Sequence, residues 1–286
     1  MLGHKLCQQL RGGFDVWGTV RSNGALLVER GILDRGHLVE QIDAANFDSI
    51  VDVIARCKPD AVVNCIGIVK QLAEARDSIR SLSINALFPQ RLAVLCRAAD
   101  VRLIHVSTDC VFSGRKGKYV EDDVSDAEDL YGRSKFLGEV SDAPALTLRT
   151  SIIGREPAST TGLIEWFLSN RGKSIRGFKR AIFSGLTTLS LAQVIRRVFT
   201  EFPALTGLYH VASHPISKYD LLLLLKDELN VDVDIQPADD VILDRSLQAS
   251  KLLDETGITP PAWPDMIRQL RDDPTPYDQW RASRVF

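Results

Sequence analysis

Cysteine, net charge and long apolar segments are all scarce in this chain of 286 residues. Its five cysteines are scattered and include no C-x-x-C pair, which argues against a disulfide framework and a zinc site. The formal net charge is -2, so no overall field would attract nucleic acid or an anionic membrane. The longest leucine run, Leu221 to Leu225, is far too short to cross a bilayer. We therefore expect a globular protein of the reducing cytoplasm, with no metal, membrane or nucleic-acid partner.

What the chain does contain is an alternation of short apolar runs and amphipathic stretches, the pattern of βαβ units. Strands are predicted for Phe14 to Val20, Ala61 to Ile66, Val101 to Val106 and Leu146 to Ile153. Helices are predicted around Leu2 to Leu10, Phe47 to Ile54 and Ile84 to Leu95. This order predicts an α/β fold, a Rossmann-type doubly wound parallel sheet.

After Arg155 the alternation of apolar runs and amphipathic stretches becomes less regular. Helices are predicted near Gly162 to Asn170, Leu191 to Phe199 and from Tyr219 onward, with a short strand at Leu208 to Ala212. We therefore divide the chain into an NAD(P)-binding Rossmann domain, residues 1-155, and a smaller C-terminal substrate-binding region, residues 156-286.

The strongest chemical motif is the segment from Tyr131 to Lys135. A tyrosine and a lysine four residues apart at a helix start lie on one face, although such a pair by itself is common on protein surfaces. The context adds weight, because the apolar strand before it ends in Ser107-Thr-Asp109. Thr108 is therefore predicted at the carboxyl end of the sheet, where open α/β folds bind ligands.

A hydroxyl, a phenol and an ammonium form a set suited to ketone reduction. Tyr131 would protonate the nascent alkoxide, with its pKa lowered by the cation of Lys135. Thr108 would hydrogen-bond the carbonyl oxygen, and Lys135 would also reach the ribose of a nicotinamide cofactor.

Several motifs, in this order and spacing, resemble the dTDP-4-dehydrorhamnose reductase family of extended short-chain dehydrogenases/reductases. They are Val62 to Gly67, Ser83 to Gln90, Ser107 to Gly114, Glu121 to Asp123 and Tyr131 to Lys135. Weaker likenesses, such as Ser246 to Lys251, extend the resemblance over nearly the whole chain.

The resemblance implies NADPH-dependent reduction of the 4-keto group of a nucleotide-linked deoxy sugar, a precursor of surface polysaccharide. It implies a catalytic triad of Thr108, Tyr131 and Lys135, with Asp109 beside the substrate. The cofactor residues that it implies beyond Lys135 are Cys65, Ile66, Gly67 and Asn85. Cys110 stands where relatives often carry tyrosine, and Ile66 to Gln71 also departs from the family pattern, so the sugar stays open.

Cofactor choice depends on the end of the second predicted Rossmann strand. Arg21 and Ser22 would suit the extra phosphate of NADP, whereas an acidic residue there would suit NAD. NADP(H) is therefore favoured, NAD(H) remains open, and a solvated Arg21 is the alternative. Asp43 resembles the family's adenine-side acid, although a cap or loop role fits it equally.

A cluster of cations in the second half could serve the substrate's diphosphate. Arg176 and Lys179 are the residues we name from it, against the alternative of a solvated charged face. His105 and His210 lack partners at metal-ligand spacing, so both are predicted to be structural.

The start of the chain looks like the tail of a dinucleotide-binding fingerprint. Leu2 and Gly3 would form the end of the Gly-rich fingerprint. Gly3 would be its last glycine, placed for close helix packing. A strand and the turn, together roughly ten residues long, are expected before Met1, and a truly shortened, non-catalytic protein is the alternative. Without that strand, two neighbouring strands would carry unpaired edges.

Two other functions fit the same sequence. A sugar-nucleotide epimerase or dehydratase of the superfamily would keep bound NAD and need no added reductant. A non-catalytic Rossmann regulatory subunit would bind nucleotide and protein without chemistry, although the intact triad argues against it. The substrate partner in the main hypothesis is a nucleotide-linked keto sugar, and a homodimer stays open.

Overall fold

A computed structural model of the protein describes residues 1–282; residues 283–286 of the predicted substrate-binding region lie outside it. In chain order, its strands are β1 Gly18–Thr19, β2 Leu38–Val39, β3 Ala61–Asn64, β4 Arg102–Thr108, β5 Ala145–Thr150, β6 Ile152–Ile153, β7 Ser174–Phe178, β8 Ala181–Phe183, β9 Leu186–Thr187, β10 Gly207–His210, β11 Ile216–Ser217, β12 Asp234–Ala238 and β13 Leu243–Asp244.

The α-helices are α1 Leu2–Leu10, α2 Gly24–Glu29, α3 Phe47–Cys57, α4 Ser78–Ser81, α5 Phe88–Ala98, α6 Leu130–Leu137, α7 Leu163–Leu168, α8 Thr188–Glu201, α9 Lys218–Leu229, α10 Ser250–Thr256, α11 Trp263–Arg271 and α12 Tyr277–Ala282. A π-helical segment, Leu82–Leu87, joins α4 to α5. Of the helices in residues 1–282, none is both long enough and apolar enough to cross a membrane.

A parallel sheet of four strands, in the order β10-β5-β4-β3, forms the centre of the fold. Its two faces are both covered, as the alternation along β4 shows. Leu103 packs with the apolar side chains of α3 and α5, and the next residue, Ile104, packs with those of α1 and α8. Burial on both faces is the reason that parallel strands are apolar throughout. The predicted Rossmann-type fold is confirmed.

The predicted first strand, Phe14 to Val20, is much shorter in the structure. Only β1 is extended enough to pair, in parallel with β2, and Phe14 and Trp17 are exposed. Within residues 1–282, no strand pairing joins β1 to the edge of β3. Within the described residues, β1 and β3 thus each have one edge without a pairing strand.

The chain beyond residue 155 is interleaved with the main sheet. β10 pairs with β5, and α8 packs on the sheet beside α1. Smaller ladders, β12-β7 and β11-β8-β13, complete the C-terminal half, and α9 packs among them. The division at residue 155 stays a prediction, since part of the second half builds the Rossmann layer.

Candidate active site

Thr108 ends β4 and caps the short 3-10 turn Asp109–Val111. Its hydroxyl accepts a hydrogen bond from the Cys110 amide at 3.1 Å and donates one to Asp109 Oδ1 at 3.2 Å. Thr108 and Asp109 are both buried. The hydroxyl is therefore held at the carboxyl end of the sheet, where the sequence predicts it.

Helix α6 brings Tyr131 and Lys135 to this strand end. The carboxylate of Asp129 caps the helix by accepting a hydrogen bond from the Gly132 amide at 2.8 Å. Gly132 packs so closely on the turn that a Cβ there would stand 2.2 Å from the Cys110 carbonyl oxygen. A larger residue would push the helix, and Tyr131 with it, away from Thr108.

Tyr131 is half-buried, and the Thr108 hydroxyl is hydrogen-bonded to its phenol. Burial raises the pKa of Tyr131 above its usual value, and the negative charges possible at Cys110, Asp109 and Asp129 add to the rise. The hydrogen bond from Thr108 acts in the opposite direction. The net pKa of Tyr131 is therefore raised and not lowered as the sequence predicts, because burial has the largest effect.

Lys135 is buried, and its Nζ donates a hydrogen bond to the Val106 carbonyl oxygen at 2.8 Å. Burial lowers the pKa of Lys135 from 10.5 to about 8, against the opposing effects of Glu139 and Cys65. The ammonium is thus fixed between α6 and β4, and its proton is held less tightly than that of an ordinary lysine.

The loop after β3 borders the same strand end. Cys65, Ile66 and Gly67 are exposed there, and a Cβ on Gly67 would lie 4.0 Å from Lys135 Nζ. Asn85, which is buried, accepts a hydrogen bond from the Ile68 amide at 2.8 Å and donates to the Ile68 carbonyl at 3.0 Å. Its amide therefore holds the loop in place and does not face solvent.

The residues predicted for the rest of the cofactor have more varied positions. The Leu2 side chain is buried in the core. Gly3 has open space around it, since a Cβ there would meet nothing within 4 Å. The close helix packing predicted at Gly3 is thus absent.

Arg21, Ser22 and Asp43 lie on the β1-β2 side of the fold. Arg21 and Ser22 are exposed just after β1. Asp43 uses Oδ1 to accept a hydrogen bond from the Ala45 amide at 3.0 Å. That contact matches the loop role that the sequence left open for Asp43.

The model of the family described as "RmlD substrate binding domain" matches residues 1–272. The chain belongs to this family. One curated relative is the dTDP-4-dehydrorhamnose reductase of Aggregatibacter actinomycetemcomitans. It is 26% identical to this chain, and the match covers 88% of this chain and 94% of the relative.

Two solved structures share the fold. One, a hypothetical dTDP-4-dehydrorhamnose reductase from Sulfolobus tokodaii, superposes with a TM-score of 0.72 and 25% identity, over 87% of this chain and 89% of that one. The other is the dTDP-4-dehydrorhamnose reductase of Bacillus anthracis in complex with NADP, with a TM-score of 0.72 and 18% identity, over 86% and 94% of the two chains.

In this RmlD-family chain, Arg176 and Lys179 are placed at the surface. Each pairs with an acidic residue just after β12, Arg176 with Asp240, and Lys179 with Asp239 at 3.2 Å. Both side chains are about half exposed, and the structure does not bring either one to Thr108 or Asp109. Their placement does not support the predicted substrate role.

Two other cations, which the sequence reasoning missed, act on Asp109. Burial raises the pKa of this carboxyl, and the charges of Arg245 and Lys218 oppose the rise. Arg245 directly precedes Ser246 to Lys251, a segment with a weak likeness to the family. That likeness was the signal in the sequence that could have drawn attention to Arg245. Lys218 has no such signal, because a single lysine at a helix start is ordinary.

A buried ion pair supports the site from beneath. Arg149 on β5 donates from Nε and Nη2 to the two carboxylate oxygens of Glu139, at 2.8 and 2.7 Å. Ser107, next to Thr108, donates to Glu139 at 2.7 Å. His210 accepts from Arg149 at 3.3 Å, and burial lowers its pKa to about 4, so the ring is neutral. His210 thus has the structural role that the sequence predicts.

Proposed function

We propose that this RmlD-family chain is an NADPH-dependent reductase of the 4-keto group of a nucleotide-linked deoxy sugar, a precursor of surface polysaccharide. The observation that carries the proposal is the meeting of Thr108, Tyr131 and Lys135 at the carboxyl end of β4. The Aggregatibacter relative and the Sulfolobus structure, which are both named as dTDP-4-dehydrorhamnose reductases, support the same reaction.

The triad residues have distinct roles in this reaction. Thr108 would donate a hydrogen bond to the keto oxygen and hold it beside the phenol of Tyr131. Tyr131 would give its proton to that oxygen as negative charge develops there. Its raised pKa keeps the phenol protonated near neutral pH, as the reducing direction requires. The Lys135 ammonium would stabilise the phenolate that remains.

The residues around Lys135 fit a nicotinamide cofactor. Gly67 is exposed and has no side chain, so a flat ligand could approach its backbone, and a Cβ there would stand 3.3 Å from Asn85 Oδ1 and 4.0 Å from Lys135 Nζ. Cys65, Ile66, Gly67 and Lys135 would hold the nicotinamide half, on a loop positioned by Asn85. The other half of the cofactor, away from the nicotinamide, would be held by Leu2, Gly3, Arg21, Ser22 and Asp43. Leu2 would act through its backbone. When bound, the cofactor supplies the hydride.

The direct test is turnover of dTDP-4-dehydrorhamnose by the purified protein with NADPH, followed by the fall in NADPH absorbance. Stoichiometric consumption of NADPH is expected. Purification with bound NAD and conversion of a sugar nucleotide without added reductant would instead identify an epimerase or dehydratase. Nucleotide binding with no conversion of any keto sugar nucleotide would favour the regulatory alternative.

Replacing Arg21 by aspartate should weaken NADPH binding by about tenfold or more and leave NADH binding nearly unchanged, since repulsion replaces a phosphate contact. Dissociation constants for both cofactors measure this effect. Arg97→Asp makes the same charge change at an exposed position on α5 and serves as the control. An unchanged preference in Arg21→Asp would show that Arg21 is only solvated.

The reaction should slow as the pH rises through about 8, because Lys135 then loses the proton that its lowered pKa holds weakly. Below that pH the Lys135 ammonium is present, and kcat/KM should stay nearly constant until the pH falls low enough for another group to be protonated. In Lys135→Arg the charge persists, so the fall near pH 8 should vanish from the remaining activity. A fall at the same pH in Lys135→Arg would assign it to another group.

A further inference from the structure

Lys218, the first residue of α9, carries an ammonium with an unusual environment. Its Nζ lies 3.7 Å from the centroid of the buried Phe183 ring. Within residues 1–282, no oxygen or nitrogen accepts a hydrogen bond from it. Its charge nevertheless interacts with Asp109 and Cys110, so the ammonium faces the turn that follows β4. Three N–H donors are therefore available beside the catalytic strand end.

Asp109 presents the complementary group. Its carboxylate is buried and receives hydrogen bonds from the side chains of Thr108 and Cys110. It forms no ion pair in the described part of the chain, although Lys218 and Arg245 both act on its charge. A carboxylate and an ammonium thus act on each other's charge with no hydrogen bond or ion pair between them in the described part of the chain, so both can bind a ligand group.

Arg245 is already engaged with the turn. Its Nε donates to the Phe112 carbonyl oxygen at 2.8 Å, and its Nη1 approaches Cys110 Sγ at 3.5 Å. These contacts fix the turn that carries Asp109. The Arg245 amide also donates to a carbonyl oxygen of β8 at 3.0 Å, which places the turn beside the strand that Lys218 covers. Lys218 is consequently a cation beside this turn whose three donors make no hydrogen bond within residues 1–282.

The paired charges select the ligand's chemistry. A phosphate would be attracted by Lys218 and repelled by Asp109, whereas a hydroxyl can accept from the ammonium and donate to the carboxylate. Asp109 follows Thr108 directly, so the bound hydroxyl would adjoin the carbonyl that Thr108 holds. We propose that Lys218 and Asp109 form a subsite for a sugar hydroxyl next to the reacting keto group; this rests on the proposed function.

The subsite coincides with a departure from the family pattern. Cys110, where relatives often carry tyrosine, contacts Arg245 and interacts with Lys218. Because cysteine is smaller than tyrosine, the surroundings of Lys218 and Asp109 would differ from those in such relatives. The proposed subsite would therefore contribute to the choice of sugar in this chain.

The test compares two probes, dTDP-rhamnose and dTDP, by titration calorimetry with wild-type protein and Lys218→Met. The variant keeps the aliphatic stem over Phe183 and removes the charge. We expect it to bind dTDP-rhamnose about tenfold or more weakly and dTDP as tightly as wild type, since only the sugar meets the subsite. Lys226→Met, on the same helix α9, should bind both probes normally.

Equal weakening for both probes would overturn the subsite, because it would make Lys218 a diphosphate contact. Unchanged binding of dTDP-rhamnose, or a wild-type affinity for it no greater than for dTDP, would also overturn it. If Lys218→Met does not fold, Lys218→Gln gives the same comparison. None of these outcomes depends on turnover, so failure of the proposed reduction, measured by NADPH consumption, stays distinguishable.

Discussion

Replacement of Tyr131 by phenylalanine should lower kcat for keto-sugar reduction by about 10²- to 10⁴-fold, the usual contribution of a positioned general acid. The change removes only the phenolic hydroxyl, which is hydrogen-bonded to Thr108 and lies at the end of β4. The ring remains to fill its half-buried position, so the fold and NADPH binding should be nearly unaffected. Single-turnover kinetics with NADPH and a keto sugar nucleotide would measure the loss.

Tyr209→Phe is the matched control for this prediction. It removes a tyrosine hydroxyl bonded to Glu255 at 2.5 Å, on β10 and away from the triad. Its kcat should stay close to that of wild type even if its stability falls. Wild-type turnover in Tyr131→Phe would rule out the proton-donor role, whatever the control shows.

Replacement of Glu139 by alanine should lower the free energy of unfolding by about 3–5 kcal/mol, because it leaves the Arg149 guanidinium buried without its partner. Only 4% of the Arg149 side chain and 9% of the Glu139 side chain are exposed. Bulk water therefore solvates little of either charge, and a water molecule in the vacated space would not supply the lost negative charge. The loss should appear in chemical denaturation as a lower midpoint with an unchanged slope.

Glu201→Ala provides the control at an exposed ion pair. Arg197 and Glu201 lie four residues apart on α8, with 43% and 44% of their side chains exposed. Loss of this exposed pair should reduce stability far less than loss of the buried one, because water solvates both charges. If Glu139→Ala cost no more than Glu201→Ala, the buried pair would have no special structural role.

Much of the fold could be predicted because its determinants are local in the chain. The spacing of Leu2, Leu6 and Leu10 is enough to show which face of α1 is buried, and the continuous apolar run of β4 indicates a strand covered on both faces. Phe14 to Val20 had the same local character. Most of it stays unpaired, because a strand also needs a neighbouring strand to pair with. The local sequence pattern does not show whether such a neighbour is present.

The sequence by itself was enough to propose the triad, since Thr108 ends an apolar run and Tyr131 and Lys135 are one helical turn apart. Only the tertiary structure decided their electrostatics, because burial, which depends on the whole packed chain, sets the pKa of Tyr131 and of Lys135. It also decided which cations approach Asp109. Lys218 and Arg245 come from more than a hundred residues along the chain, and folding alone brings such distant charges together.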